Sequence, residues 1–377
     1  MRDRRAGKPE KRRVLILVNH DVVIYNFRLE LVERLLEDSY EVHISSPYGE
    51  RIEDLERIGA HYHRIEFDRH GMSPLEDGRI LLTYLRLIAT LSPRIVLGYT
   101  IKPNLYGAVA ARFFGVPFVA NITGLGTALE KDGFRKYLVI AMYKLAFLRI
   151  RRVFFQNLEN ERFFRKYRIA VHAHALLPGS GVNLSRFPEA PYPVCGDGKT
   201  GEPVRFAFIS RIMKEKGIEQ FLRMARAIHR HYPQTEFHVY GFCEAEYEGA
   251  LAEWGEKQVV RYHGMVRDVA AVMSEAHCIV HPTYYPEGIS NVLLEAQSIG
   301  RPVITTDRTG CREAVRDGVS GILVPERDAR ALILAVKRFL ALDFEAKAAM
   351  GLAGRRFVEK HFDRHIVVER YMQEVEK

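Results

Sequence analysis

Two carboxylates, Glu287 and Glu295, are separated by seven residues in the run Glu-Gly-Ile-Ser-Asn-Val-Leu-Leu-Glu-Ala. Leu293, Leu294 and Ile299 form an apolar stripe, so a helix begins near Ser290 as N-cap and stops at Gly300 and Pro302. A helix start reached through a glycine offers backbone N–H groups and a partial positive charge, which suits a phosphate. Carboxylates do not suit a phosphate, but they accept hydrogen bonds from sugar and ribose hydroxyls. Phosphate and polyol together describe a nucleotide sugar.

The elements around this stretch are those of a parallel sheet. The apolar run Cys278–His281 is a strand ending just before the loop that carries Glu287. The chain alternates strands and helices on both sides of it. Expected strands before residue 180 are 14–18, 41–45, 62–67, 94–99, 117–122, 153–156 and 173–177. A helix is expected from Phe27 to about Asp38 after a loop over 19–26. Residues 184–203 hold four prolines and three glycines, a linker composition. Alternation then resumes with strands at 205–209, 236–240, 259–263, 278–281, 302–305 and 321–324. The pattern predicts an α/β protein with two doubly wound parallel-sheet domains. The first is expected over 1–183 and, after the linker, the second over 204–355. The final helix, 356–377, would pack back on the first domain. Ligands of such sheets sit at the carboxyl ends of the strands, in a cleft the two domains would share.

Bulk properties narrow the class. A chain of 377 residues with 47% hydrophobic and 27% charged residues is an ordinary globular protein. The four cysteines lack metal or redox spacing, which suits a reducing compartment. The start of the chain is polar, and Val14–Val18 is too short for a signal peptide or a membrane span. A cytoplasmic location, peripheral on the inner membrane face, is expected. The net charge of +9 is uneven: residues 1–100 and 191–377 balance, so the whole excess lies in 101–190. That points to an anionic partner such as nucleic acid, an anionic membrane surface or a lipid diphosphate. The segment 131–155 carries much of it, mixing aromatic and aliphatic residues with Arg135, Lys136, Lys144, Arg149, Arg151 and Arg152.

The run Glu287–Ala296 resembles the signature of retaining nucleotide-sugar glycosyltransferases of the GT-B fold, the large family 4 group. Arg211-Ile-Met-Lys-Glu-Lys-Gly217 resembles the family segment whose two cations hold the donor diphosphate. Gly181–Phe187 and Gly310–Ala314 resemble its hinge and its Gly-x-x-Glu segment, with Asn183 where the family has Asp. The resemblance implies that Arg211 and Lys216 stabilise the departing diphosphate, that Glu287 holds the transferred sugar and that Glu295 holds the ribose. It implies backbone contacts from Gly288, Ile289, Ser290 and Asn291 to the phosphates, and from Gly264 and Met265 to the base, with uracil expected. No Asp-x-Asp motif occurs, so a metal-independent, cofactor-free enzyme is expected. The implied mechanism is front-face, with the leaving phosphate taking the acceptor proton.

The first domain resembles a narrower branch that extends polyprenyl-diphosphate saccharides. The segments are Ile24–Arg28, Thr100–Gly107 and Asn121–Gly126. The resemblance implies acceptor contacts from Tyr25, Arg28, Lys102 and Asn104, and close backbone approach to the donor at Gly124 and Gly126. Where many relatives have a histidine near the reaction centre, this loop reads Thr123-Gly-Leu-Gly, and no catalytic histidine is assigned; His20 is a lone loop histidine. The expected activity is transfer of a hexose or N-acetylhexosamine from a UDP-sugar to a polyprenyl-diphosphate saccharide in surface-glycan assembly. A nucleotide-sugar epimerase or hydrolase of the same fold is the alternative. A nucleic-acid binder leaves the acid pair unexplained and shows no recognition module.

Overall fold

The computed structural model describes residues 12–66, 73–124, 133–194, 202–256 and 259–377. The chain divides into two compact units, 1–180 with 365–377, and 181–364. Each is built on a wholly parallel sheet.

The sheet of the first unit comprises β1 (Arg13–Leu17), β2 (Glu41–Ser46), β3 (His61–Arg64), β4 (Ile95–Tyr99), β5 (Phe118–Ile122), β6 (Arg152–Phe155) and β7 (His174–Leu176), in the order β3-β2-β1-β4-β5-β6-β7. Alternation along β1 sends Val14 and Ile16 into one core and Leu15 and Leu17 into the other, so both faces are covered by helices. The second sheet comprises β8 (Val204–Ile209), β9 (Thr235–Tyr240), β10 (Arg261–Tyr262), β11 (Cys278–His281), β12 (Val303–Thr306) and β13 (Gly321–Val324), in the order β10-β9-β8-β11-β12-β13. Phe206 and Phe208 face one core while Ala207 and Ile209 face the other. In both sheets the strand order reverses beside the first strand, β1 or β8, which is where doubly wound sheets bind ligands.

The expected strands are all present, with ends shifted by a few residues. The start of the first unit differs. Residues 21–27 form a helix where a loop was expected, and Arg28 (φ −141°, ψ 8°) separates it from a second helix, Leu29–Glu37. The segment 184–203 is not a free linker over its described part. Phe187 is buried in the second unit, and the fully buried Arg301 donates to the Ala190 and Pro191 carbonyls. Those carbonyl contacts satisfy a guanidinium that has no carboxylate, and they hold this stretch against the sheet. Helix Phe344–Phe362 stays with the second unit, past the expected boundary at 355. The last residues, 365–377, belong to the first unit. There Val367, Val368, Tyr371, Met372 and Val375 enter the core, and Asn121 Nδ2 donates to the Tyr371 hydroxyl at 2.7 Å.

Candidate active site

The carboxyl ends of β8 and β11 carry the charged residues singled out from the sequence. After β8 a short 3-10 turn, Lys214–Lys216, leads into helix Ile218–His231. After β11 the loop folds back on that turn: Tyr284 N–H donates to the Glu215 carbonyl at 2.8 Å, and Thr283 Oγ1 donates to the same oxygen at 3.2 Å. This clasp brings Lys216 Nζ into an ion pair with Glu287 Oε1. The Tyr285 ring lies beside both cations, 5.0 Å from Lys216 Nζ and 5.8 Å from the Arg211 guanidinium. Arg211 is exposed, while Lys216 and Glu287 are half-buried. Burial pushes the Lys216 ammonium down to about 8, with the Arg211 cation adding to the fall and Cys311 opposing it. The paired Glu287 carboxylate pulls the other way.

Helix Asn291–Ser298 starts directly behind Glu287. Ser290 occupies its N-cap, but its side chain makes no capping bond and is buried. The Ser290 N–H donates to the Gly310 carbonyl at 2.8 Å, so that N–H is not available for a phosphate as expected. Gly310 adopts φ +91°, and a Cβ there would lie 2.5 Å from the Gly288 carbonyl; only glycine allows this approach. The Gly310 N–H in turn donates to Glu313 Oε2 at 2.7 Å, which fixes the loop after β12 against the helix start. Gly288 and Ile289 are buried and Asn291 is half-buried. Glu295, one turn in, is half-buried; burial raises its carboxyl to about 7, against the pull of Arg364 and Arg186. Beyond β10, Gly264 takes φ +69°, its carbonyl accepts the Gly241 N–H at 2.8 Å, and Met265 is exposed beside it.

The residues expected from the first unit are placed differently. Arg28 is only 2% exposed, with its guanidinium 5.2 Å from the Tyr99 ring centre and 5.6 Å from that of Tyr371. It is enclosed by the fold rather than presented to an acceptor diphosphate. Asn104 is also buried, and its Nδ2 donates to the Asn121 carbonyl at 2.9 Å, tying helix Ile101–Phe113 to β5. These two acceptor assignments are corrected on burial: Arg28 is packed between two rings and Asn104 is bonded to β5, and neither side chain reaches the surface. Lys102 pairs with Asp77 at 3.1 Å and is mostly buried. Tyr25 is half-buried beneath the Arg51 guanidinium, 4.6 Å from its ring. Gly124 is half-buried after β5, and Gly126 lies outside the described residues.

Sequence reasoning missed Tyr285, Arg186 and Arg364 as parts of this arrangement. A tyrosine next to the motif was visible, but nothing marked it as the surface beneath two cations. Arg186 and Arg364 are far from Glu295 in sequence, and only folding brings their charges to it.

With this geometry in hand, two family models match, one on each compact unit. Residues 13–157 match the description "Glycosyl transferase 4-like", and residues 203–341 match "Glycosyl transferases group 1". The chain belongs to the GT-B glycosyltransferases. Among relatives of this glycosyltransferase, the N,N'-diacetylbacillosaminyl-diphospho-undecaprenol alpha-1,3-N-acetylgalactosaminyltransferase of Campylobacter jejuni is 23% identical, covering 96% of this chain and 97% of that protein. The capsular polysaccharide biosynthesis glycosyltransferase CapM of Staphylococcus aureus is 24% identical, covering 90% of each. Among solved structures, a Rickettsia africae glycosyltransferase superposes with TM-score 0.78 at 16% identity, covering 97% of this chain and 98% of that one. Anabaena HepE, solved in complex with UDP, superposes with TM-score 0.76 at 15% identity, covering 97% and 99%. These two likenesses establish the fold.

Proposed function

We propose that this glycosyltransferase moves a hexose or N-acetylhexosamine from a UDP-sugar to a polyprenyl-diphosphate-linked saccharide in surface-glycan assembly, with retention and without a metal or cofactor. The observation that carries this reading is the cluster at the carboxyl ends of β8 and β11, where Lys216 pairs with Glu287 and Arg211 shares the Tyr285 ring. A departing diphosphate gains negative charge as the sugar bond breaks, and two cations aimed at that charge stabilise it in place. Lys216 exchanges its Glu287 partner for the β-phosphate when the donor enters. Glu287 is then released to hold hydroxyls of the transferred sugar. Glu295 accepts from the ribose, and the Gly264–Met265 turn borders the uracil. The leaving phosphate takes the acceptor proton, so no side-chain nucleophile is needed.

Two printed names support the finer points. The Campylobacter relative is named for transfer to an undecaprenyl-diphosphate saccharide, and HepE was solved with UDP. A membrane-borne acceptor calls for a membrane-facing surface. On the first unit, helix Phe134–Ala146 and its C-terminal end expose Phe134, Tyr137, Leu145 and Leu148 together with Arg135, Lys144 and Arg149. Apolar groups and cations on one face fit an anionic lipid surface at the inner membrane face. No helix among the described residues is long and apolar enough to cross a membrane.

The test is a panel of UDP- and GDP-sugars with a defined polyprenyl-diphosphate saccharide. The expected result is UDP release matched by a lengthened lipid-linked glycan. Product formation from the donor alone, faster than any transfer, would make the protein a hydrolase or epimerase instead.

A further inference from the structure

The corner at the carboxyl end of β1 holds an arrangement that none of the roles above uses. Asp21 is fully buried, at 0% exposure, and its side chain lies between two loops. Its Oδ2 accepts the Arg51 N–H at 2.8 Å, and its Oδ1 lies 2.5 Å from Nδ1 of His20. The loop after β2 closes over this carboxylate: a Cβ on Gly49 would sit 2.2 Å from Asp21 Oδ1. The His20 side chain keeps a third of its surface exposed. Beside it, Arg51 lies over the Tyr25 ring at 4.6 Å.

His20 also caps helix Asp21–Phe27, with Nδ1 accepting the Val22 N–H at 3.2 Å. A cap alone does not explain the arrangement. Serine, asparagine or aspartate caps a helix with a smaller side chain and without a second buried charge. Enclosing a carboxylate is costly unless it is paired, so placing one against an imidazole needs a compensating purpose. Nδ1 accepts the Val22 N–H and also faces Asp21 Oδ1, so this edge of the ring is held by the fold. Both contacts made by the ring are at Nδ1, which leaves Nε2 as the nitrogen able to meet a ligand. A sugar hydroxyl both donates and accepts, so it matches Nε2 in either tautomer.

We infer that His20, held in place at Nδ1 beside Asp21, is an acceptor-binding residue: Nε2 hydrogen-bonds a hydroxyl of the acceptor saccharide, with Tyr25 and Arg51 forming the adjoining wall. The inference rests on the glycosyltransfer reading above. It supplies the first unit with a binding group in place of Arg28 and Asn104.

Two substitutions separate capping from binding. His20→Ser keeps a capping oxygen and removes the ring, while Asp21→Asn keeps the size and removes the charge beside it. Loss of one ligand hydrogen bond corresponds to about tenfold in affinity. Both variants are therefore expected to raise the acceptor KM by about that factor, while kcat stays within about twofold. UDP affinity, read by calorimetry, stays at the wild-type value, and the thermal midpoint of His20→Ser stays near wild type. His20→Ser with a wild-type acceptor KM would show that the ring is only a cap and would overturn the assignment. A parallel fall in kcat, UDP affinity and thermal midpoint would also overturn it, as a folding defect. If the wild type binds UDP yet transfers to no lipid-diphosphate saccharide, the acceptor reading itself fails, and the His20 assignment falls with it.

Discussion

The ends of β8 and β11 in the second unit and the ends of β1 and β4 in the first unit are built alike, yet they treat their charged residues differently. In the second unit, Arg211 stays exposed, and Lys216 is paired with the loop carboxylate of Glu287. In the first unit, Arg28 is enclosed by Tyr99 and Tyr371, and Asn104 is bonded to the backbone of β5. In the proposed function, the donor diphosphate would take the place of Glu287 beside Lys216. The permanent partners make Arg28 and Asn104 part of the scaffold. Residue type does not distinguish the two cases; the partner does.

Four experiments would break or sharpen this contrast. The largest effect is expected at the Lys216–Glu287 pair. Lys216→Ala or Glu287→Gln should lower kcat by about 100-fold or more, the scale seen when one preorganised charge-stabilising group is lost, while urea unfolding stays close to wild type. Turnover at the wild-type level with the true substrates would remove these residues from the site.

Arg28→Ala should behave in the opposite way. Its removal leaves a void between two rings and should cost about 3 kcal/mol of stability, read from chemical denaturation, with UDP affinity unchanged. An unchanged denaturation midpoint with a raised acceptor KM would restore Arg28 as a binding residue.

The third test uses pH. Glu295, raised to about 7 by burial, is ionised above that value, and Lys216, lowered to about 8 by burial, is charged below it. UDP-sugar affinity should therefore peak between about pH 7 and 8. It should fall on the acid side as Glu295 gains a proton and on the alkaline side as Lys216 loses one, up to about tenfold per pH unit on each limb. Lys216→Arg should move the alkaline limb up and out of range. A flat profile from pH 6 to 9 would mean that neither group contacts the donor. The smallest effect is expected on the exposed face of the first unit. Replacing Leu148 with serine should weaken sedimentation with anionic vesicles by about tenfold, given roughly 1.5 kcal/mol per buried leucine, and should leave UDP affinity unchanged. Equal sedimentation of variant and wild type would move the membrane contact elsewhere.

Much of the fold was legible because its signals are local. Parallel strands buried on both faces read as short apolar runs, and most of the thirteen strands among the described residues carry that signal; the exposed edge strands β3 and β10 do not. The donor corner was legible for a related reason. Glu287, Gly288 and Glu295 lie within one strand-loop-helix unit, so their spacing encodes their geometry. The misreadings fell where the partner is distant. The helix at 21–27 depends on capping by His20 and on a carboxylate enclosed by the loop after β2. The stretch after 184 carries linker residues, but Arg301 holds it to the sheet.

The sequence by itself therefore determined the two parallel sheets, by periodicity, and the glycosyltransferase class, by the likeness of its short motifs to a family. Tertiary structure alone decided which polar residues remain open to a ligand. It paired Lys216 with Glu287, enclosed Arg28 between two tyrosines and set a buried Asp21 behind His20. Whether a charge serves binding or folding depends on which groups pack against it, and those groups come from parts of the chain that no local pattern connects.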